Sequence, residues 1–331
     1  MEFTHGNIGH ERVRAYLKRA LVRGVRNHAY IFVGAHHLGK SMLAAQVQQA
    51  FLCAQPISAI EACGTCHSCS AFKNGTHPDH LKISPSEDGV ISIDTVREAK
   101  SRLSLHTFSG TGKTVMVEGA ERLTSSAANA LLKTLEEPHG NVLYILTTPN
   151  EKDIPDTVYS RCTPIHFYPV DQKSIEAALL ERGIDKKRAR IISALSHGRP
   201  GVALQLSLVE DSEQPYREHV SMLATLSKEN VQERLRSFEL LSGTSGKKND
   251  DSGQLLDIIS QWQILVHDAL LIQQGITEPY PREYIDFTKP LHVSFSPSTL
   301  SKIMGACFRV KYLLERHMSP RLAFDYFTIA V

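Results

Sequence analysis

Apolar residues in the first half of the chain fall into short unbroken runs, separated by stretches where they recur every three to four positions. The runs at 30–33 (Tyr-Ile-Phe-Val), 115–117 (Val-Met-Val) and 142–146 (Val-Leu-Tyr-Ile-Leu) predict buried strands, and 165–167 predicts a weaker one. Helical patterns lie between them. Residues 9–23 gather Val13, Tyr16, Leu17, Ala20 and Leu21 on one face, and further helices are expected over 42–51, 94–104 and 124–136. Thr124 has the chemistry of an N-cap for the last of these. Strands alternating with helices predict an α/β domain built on a parallel sheet.

Beyond Pro169 the strand signals stop. Residues 171–207 read as a small helical unit, broken at Gly183 and at 198–201 (Gly-Arg-Pro-Gly), and residues 209–331 read as mostly helical. Within them the stretch 243–253 has no apolar residue and is expected to be an exposed, mobile loop.

Composition narrows this picture only a little. The chain has 331 residues, enough for two or three domains, and its 42% hydrophobic and 22% charged content is that of a globular protein. A net charge of +2 argues neither for nor against nucleic acid. No window of eighteen residues is wholly apolar and the first residues lack an apolar signal core, so neither a membrane span nor a leader is expected. A cytoplasmic location is the default expectation, and there clustered cysteines point to a metal rather than to disulfides.

Residues 34–41, Gly-Ala-His-His-Leu-Gly-Lys-Ser, complete a G-x-x-x-x-G-K-S phosphate loop between the first strand and a helix. Gly34 and Gly39 let backbone N–H groups close around phosphate oxygens, Lys40 can reach the β- and γ-phosphates, and Ser41 can hold Mg²⁺. ATP or ADP with Mg²⁺ is the implied ligand. His36 and His37 occupy variable positions and read as exposed loop residues.

Four of the six cysteines lie close together: Cys53, Cys63, Cys66 and Cys69. Thiolates at this spacing can converge tetrahedrally on one zinc ion, with His67 a surplus competitor. A closed four-thiolate site leaves no position for water and is structural. The alternative is a chance cluster of small residues. The neighbouring Gly, Thr, His and Ser have loop character, which disfavours a buried cluster. Cys162 and Cys307 stand apart and read as packed small hydrophobes.

An ATPase also needs an acid at a neighbouring strand end and a group that activates water. After the strand at 115–117 comes Glu118-Gly119-Ala120-Glu121. Glu118 can reach Mg²⁺, Gly119 has no side chain, and Glu121 is a substitute placed at the next turn. Both acids are equally readable as solvated residues at a strand end.

Further segments join these: Gly75-Thr76-His77-Pro78-Asp79, Ala128-Asn129-Ala130-Leu131-Leu132-Lys133-Thr134-Leu135-Glu136-Glu137-Pro138, and Ser160-Arg161-Cys162. With the phosphate loop and the C-x9-C-x2-C-x2-C spacing, the chain closely resembles the bacterial clamp-loader subunits of DNA polymerase III, a branch of the AAA+ ATPases. The resemblance is strong over 5–170, weaker to 208, and a matter of helical pattern beyond. It implies an AAA+ domain over 1–168 with an inserted zinc module at 53–69, a helical lid over 169–208 and an all-α collar for oligomerisation over 209–331. Two branches of that family carry the zinc module: the ATP-hydrolysing motor (gamma/tau) and delta-prime, which generally does not hydrolyse ATP.

Three departures point to the delta-prime branch. Where the motor has Asp-Glu this chain has Glu118-Gly119. Where the motor has the Arg of Gly-x-x-Arg-x-Ala-Leu it has Gly201, with Arg199 two residues early. It also lacks the long extension of tau. The intact phosphate loop keeps the motor reading open as the alternative. By resemblance Arg161 is an arginine finger acting in trans on a neighbour's nucleotide, although a lone Arg after a short helix ordinarily makes a surface ion pair. Ile8-Gly9 resembles the family's adenine-contacting stretch. The implied partners are motor and delta subunits, the sliding clamp and primer–template DNA, in a hetero-pentamer away from any membrane.

Overall fold

A computed structural model describes residues 7–22, 27–108, 110, 112–138, 140–226, 251–316 and 318–330. By internal contacts the chain divides into two units. One comprises Met1–Ala178 with Ser196–Ala203, the other Leu179–Leu195 with Leu204–Val331.

The first unit opens with α1 (Glu11–Val22), β1 (Ala29–Val33) and α2 (Lys40–Leu52). The chain continues through α3 (His67–Lys73), β2 (His80–Ile83), α4 (Ile93–Leu103), β3 (Lys113–Val117) and α5 (Ser125–Glu136). Next come β4 (Val142–Thr148), α6 (Asp156–Tyr159), β5 (Thr163–His166) and α7 (Gln172–Glu181), followed by α8 (Lys186–Leu195) and α9 (Pro200–Leu208). The five strands form one sheet in the order β2-β3-β4-β1-β5, and every pairing is parallel.

The sheet's two faces explain why its strands read as unbroken apolar runs. Ile31, Val115, Tyr144 and Leu146 pack with Val96, Leu131, Leu135 and Val158 of α4, α5 and α6. Tyr30, Phe32, Met116 and Ile145 pack on the other face with Leu17, Leu43 and Val47 of α1 and α2. Side chains alternate between faces along each strand, and both faces are covered, so every position is apolar. The arrangement is the expected parallel α/β sheet, with a cysteine-bearing insertion between α2 and β2.

Three local results refine the sequence reading. The strand β2 was not anticipated: His-Leu-Lys-Ile is an edge strand with only Leu81 and Ile83 fully buried, so it alternates instead of running apolar. The strand β5 begins at Thr163 and includes Pro164, which the opposite edge of the sheet tolerates. Part of the cysteine segment read as loop is the helix α3, capped by the Cys66 sulfur, which accepts from the Cys69 amide. The Thr124 cap is present, its side chain accepting from the Ala127 amide at 3.2 Å.

The second unit holds α8, most of α9, and then α10 (Gln214–Leu226), α11 (Asp251–Gln273), α12 (Arg282–Ser294), α13 (Pro297–Glu315) and α14 (Pro320–Ala330). Its core centres on Trp262, fully buried, with the Phe327 ring 5.1 Å away. Asp268 is buried beside it and accepts hydrogen bonds of 2.6 Å from both Tyr280 and Tyr284. Among the described residues one helix, α11 over Leu255–Gln273, is by length and composition alone long and apolar enough to cross a membrane. Its Leu255, Ile259, Trp262, Leu265, Val266 and Ala269 form the centre of this helical core. Of the polar stretch 243–253, residues 243–250 lie outside the described residues, and the last three open α11.

Candidate functional site

The parallel sheet brings its carboxyl ends to one edge, where chain turns into loops. The carboxyl end of β1 runs into the phosphate loop, and Val33 lies opposite Thr148 of β4 and His166 of β5. A cavity of about 330 Å³ opens there, lined by Gly39, Lys40, Ser41, Glu118, Glu121 and Thr147 among others. The structure thus gathers the sequence-predicted Gly39, Lys40, Ser41 and Glu118 at one place.

The loop's backbone fits a phosphate cradle. Gly34 takes φ of 150°, and a Cβ there would stand 2.4 Å from the Phe167 carbonyl. Only glycine meets both conditions. His37 itself adopts a left-handed φ of 65°. Its carbonyl accepts from the Gly201 amide at 2.8 Å. A Cβ on Gly201 would lie 2.9 Å from that same oxygen, so the position where the motor branch has arginine is packed backbone against backbone. Arg199 turns back on its own helix entry, donating from Nε to the Ser196 carbonyl at 3.2 Å.

Lys40 is buried and donates to the Gly34 carbonyl and, at 2.7 Å, to the Ala35 carbonyl. Burial pulls its ammonium down to about 8, against the attraction of Glu121, which raises it. Glu118 lines the cavity wall, but its carboxylate pairs with Lys82 at 3.0 Å. Gly119 takes φ of 70° and leads into a 3-10 turn over Ala120–Arg122, which carries Glu121.

Several site residues escaped the sequence reading. Thr147 and Thr148 follow the apolar run of β4 and line the cavity, and Thr147 Oγ1 accepts from the Gly119 amide at 3.4 Å. Two threonines ending a buried strand were a legible signal. His10 pairs through Nε2 with the Leu38 carbonyl at 2.8 Å and packs on Phe167, clasping the loop from outside. Burial holds its pKa below the usual histidine value. Gly9, beside it, takes φ of 72° with Val170 where a Cβ would go.

Arg161 lies elsewhere. It lies in the turn two residues before β5, at the amino edge of the sheet, whereas the phosphate loop sits at the carboxyl edge. A strand rises about 3.3 Å per residue, so the three steps of β5 from Thr163 to His166 alone span about 10 Å. Arg161 Nε donates to Glu136 Oε1 at 2.7 Å, a second guanidinium nitrogen binds the same oxygen, and Nη1 donates to the Thr157 carbonyl at 2.7 Å. The arginine is therefore a surface ion-pair partner of Glu136, the last residue of α5.

The four cysteines converge. Their sulfurs lie within 4.8 Å of one another, with Cys53–Cys63 at 3.4 Å and Cys53–Cys66 and Cys63–Cys69 at 3.9 Å. A tetrahedron with metal–sulfur bonds of about 2.3 Å has edges of about 3.8 Å, so the set can hold a metal ion. Backbone N–H groups of Thr65 and Cys66 pull the Cys63 thiol down to about 6, toward the ligand form. His77 braces the module. The Asp79 amide donates to Nδ1 at 3.1 Å, so in the neutral ring Nε2 carries the proton and faces Ser68 Oγ at 2.9 Å. Ser68 in turn donates to the Leu52 carbonyl at the end of α2. Cys162 and Cys307 are buried in hydrophobic clusters, and burial pushes both thiols up to about 12.

Residues 9–171 match the family described as DNA polymerase III, delta subunit. The DNA polymerase III subunit delta' of Haemophilus influenzae is 33% identical over 183 residues, covering 55% of this chain and 55% of that protein. The subunit delta' of Escherichia coli is 29% identical over 250 residues, covering 71% and 74%. The subunit tau of Bacillus subtilis is 30% identical over 169 residues, covering 51% and 29%. The chain thus spans about half the length of the Haemophilus relative.

The Lys40 environment gives a pH test. Below about 8 the ammonium is charged in both folded and unfolded chains, and the folded chain bears the burial cost. Between about 8 and the unfolded value of 10.5 the unfolded state binds more protons, so this group's contribution to stability rises with pH. Lys40→Met is expected to be more stable than the wild type at pH 7 in urea denaturation. The gap should narrow as pH passes from about 8 to 10.5. A gap independent of pH would show that burial of the charge is not its source.

Proposed function

The chain belongs to the bacterial DNA polymerase III delta-prime family, and on that premise we propose that it works as the delta-prime subunit of a clamp loader. In this reading it assembles with motor (gamma/tau) and delta subunits into a hetero-pentamer that places the sliding clamp on primer–template DNA. Residues 169–208 act as the lid and 209–331 as the collar that joins the subunits. The chain hydrolyses little or no ATP itself and lends Arg161 to the nucleotide of a neighbouring motor subunit.

One observation carries the reading: Arg161 and the phosphate loop lie at opposite edges of the same parallel sheet. An arginine at the amino end of β5, with the length of that strand between it and the loop's edge, is set away from its own phosphates but can serve another subunit's. A guanidinium suits that task because it stays ionised and offers a planar fork of donors. The exposed pair with Glu136 is a weak restraint, worth about 0–1 kcal/mol, so exchange for a phosphate is easy. Gly119 supports the inert half of the proposal, since no side chain stands there to activate water.

A second reading, a hydrolysing motor, is favoured by the intact loop and its cavity. Turnover separates the two. The purified chain alone should show no steady ATP hydrolysis, and steady turnover abolished by Lys40→Ala would establish the motor instead. In the loader assembled with cognate motor and delta subunits, Arg161→Ala should lower ATPase without loss of assembly. A finger contributes about 10³–10⁵-fold at its own site, so one active site should fall nearly silent. Arg161→Lys should not restore it. An unchanged rate would remove the finger from the proposal.

The cysteine module completes the proposal as a structural zinc site. Four thiolates with no open position suit zinc, which would pin residues 53–69 to the end of α2. Metal analysis should find about one zinc per chain. Cys63→Ser should lose the metal and lower Tm, and chelation should do the same to the wild type. Full zinc occupancy in Cys63→Ser would overturn the ligand set.

A further inference from the structure

Glu121 lines the phosphate-loop cavity, and its Oε2 is buried without a hydrogen-bond partner. The side chain is only 12% exposed, and its other oxygen approaches Arg122 Nε no closer than 3.9 Å. A buried acceptor left without a donor costs about 1–3 kcal/mol, more for a charged group. Native structures keep such orphans where a ligand, ion or water supplies the missing contact. Glu118, the acid that motif reading would choose, is already satisfied by Lys82 at 3.0 Å.

The surroundings of Glu121 fit one kind of ligand. Lys40, whose ammonium Glu121 attracts, rests on the loop's own carbonyls and supplies positive charge for phosphate. Ser41 and Thr147 line the same cavity with hydroxyls. A carboxylate oxygen and hydroxyls beside a phosphate cradle are hard oxygen donors, the set that Mg²⁺ takes while keeping several of its waters. The glycine before the turn explains the displacement: Gly119 at φ 70° swings the chain so that the side chain two positions later turns into the cavity.

We infer that Glu121, and not Glu118, is the acid of this phosphate site, set to balance the divalent cation that accompanies a bound nucleoside di- or triphosphate. The inference rests on reading residues 34–41 as a phosphate loop and is independent of whether the chain hydrolyses ATP. It also separates nucleotide holding from hydrolysis. An acid that only balances the cation leaves the water-activating position at Gly119 empty.

The test is calorimetric titration of the full chain with ATP, with and without Mg²⁺, for the wild type, Glu121→Gln and Glu118→Gln. Mg²⁺ should tighten binding to the wild type. Glu121→Gln should lose that enhancement by roughly tenfold, the size of one charge-assisted contact, while changing Mg²⁺-free binding much less. Bound Mn²⁺ counted by electron paramagnetic resonance in the presence of ATP gives a second readout, and Glu121→Gln should lower it. If Glu118→Gln loses the enhancement and Glu121→Gln keeps it, the assignment is overturned. If Glu121→Gln weakens binding equally with and without Mg²⁺, the residue serves only Lys40 and the inference fails. If the wild type binds no ATP and Lys40→Ala changes nothing, the phosphate-loop reading itself fails, and the inference with it.

Discussion

The placement of β1 constrains everything else in the first unit. It lies between β4 and β5 with all five residues buried, so it cannot shift without breaking two hydrogen-bonded ladders. Its interior positions are filled by two cores, which leaves chemistry only to the strand end and the turn beyond. The same register sets Thr148 beside the loop and β3 one strand further away. Loops crowded onto one edge must pack main chain on main chain. That is why Gly34 meets the Phe167 carbonyl and Gly201 meets the His37 carbonyl with no room for a side chain.

The charges of this unit divide into two classes. Lys82 with Glu118 and Arg161 with Glu136 are partly exposed pairs and contribute little to stability. Lys40 is buried and Glu121 largely enclosed around one cavity, the first bonded to its own loop's carbonyls and the second with an unpartnered oxygen. Such groups lower the stability of the empty fold and are retained where binding a ligand repays the deficit. Under the proposed function, the location of unfavourable charge supports a phosphate site at the loop more strongly than its glycine pattern does.

Much of this was legible in the sequence because burial on two faces writes itself as unbroken apolar runs. The strands at 30–33, 115–117 and 142–146 were readable for that reason, and the cap at Thr124 followed from local chemistry. The edge strand β2 was not, since half of its residues face outward and His-Leu-Lys-Ile carries no long apolar signal. Cysteine spacing revealed the sulfur cluster but not the brace of His77, Ser68 and the Leu52 carbonyl, which joins residues distant in sequence. The acids at the end of β3 were visible as residues, yet their roles depend on which carboxylate finds a partner. Lys82 comes from a neighbouring strand that periodicity did not show.

Sheet polarity also bears on why a chain could keep a phosphate loop and still depend on its neighbours. In a parallel sheet the loop after β1 and the turn before β5 are held at opposite edges by the pairing of these two neighbouring strands. No local rearrangement brings Arg161 to Lys40 without dismantling the ladder between β1 and β5. Under the proposed function such a nucleotide site is one-sided: its own chain supplies cradle, lysine and acid, and the arginine comes from a second molecule. Under the proposed function the consequence is asymmetric. Loss of the water-activating position, as at Gly119, silences the site in cis but leaves the amino edge of the sheet intact. Such a subunit can abandon hydrolysis while continuing to complete its neighbour's site. The two edges are free to diverge because the buried strands that separate them do not.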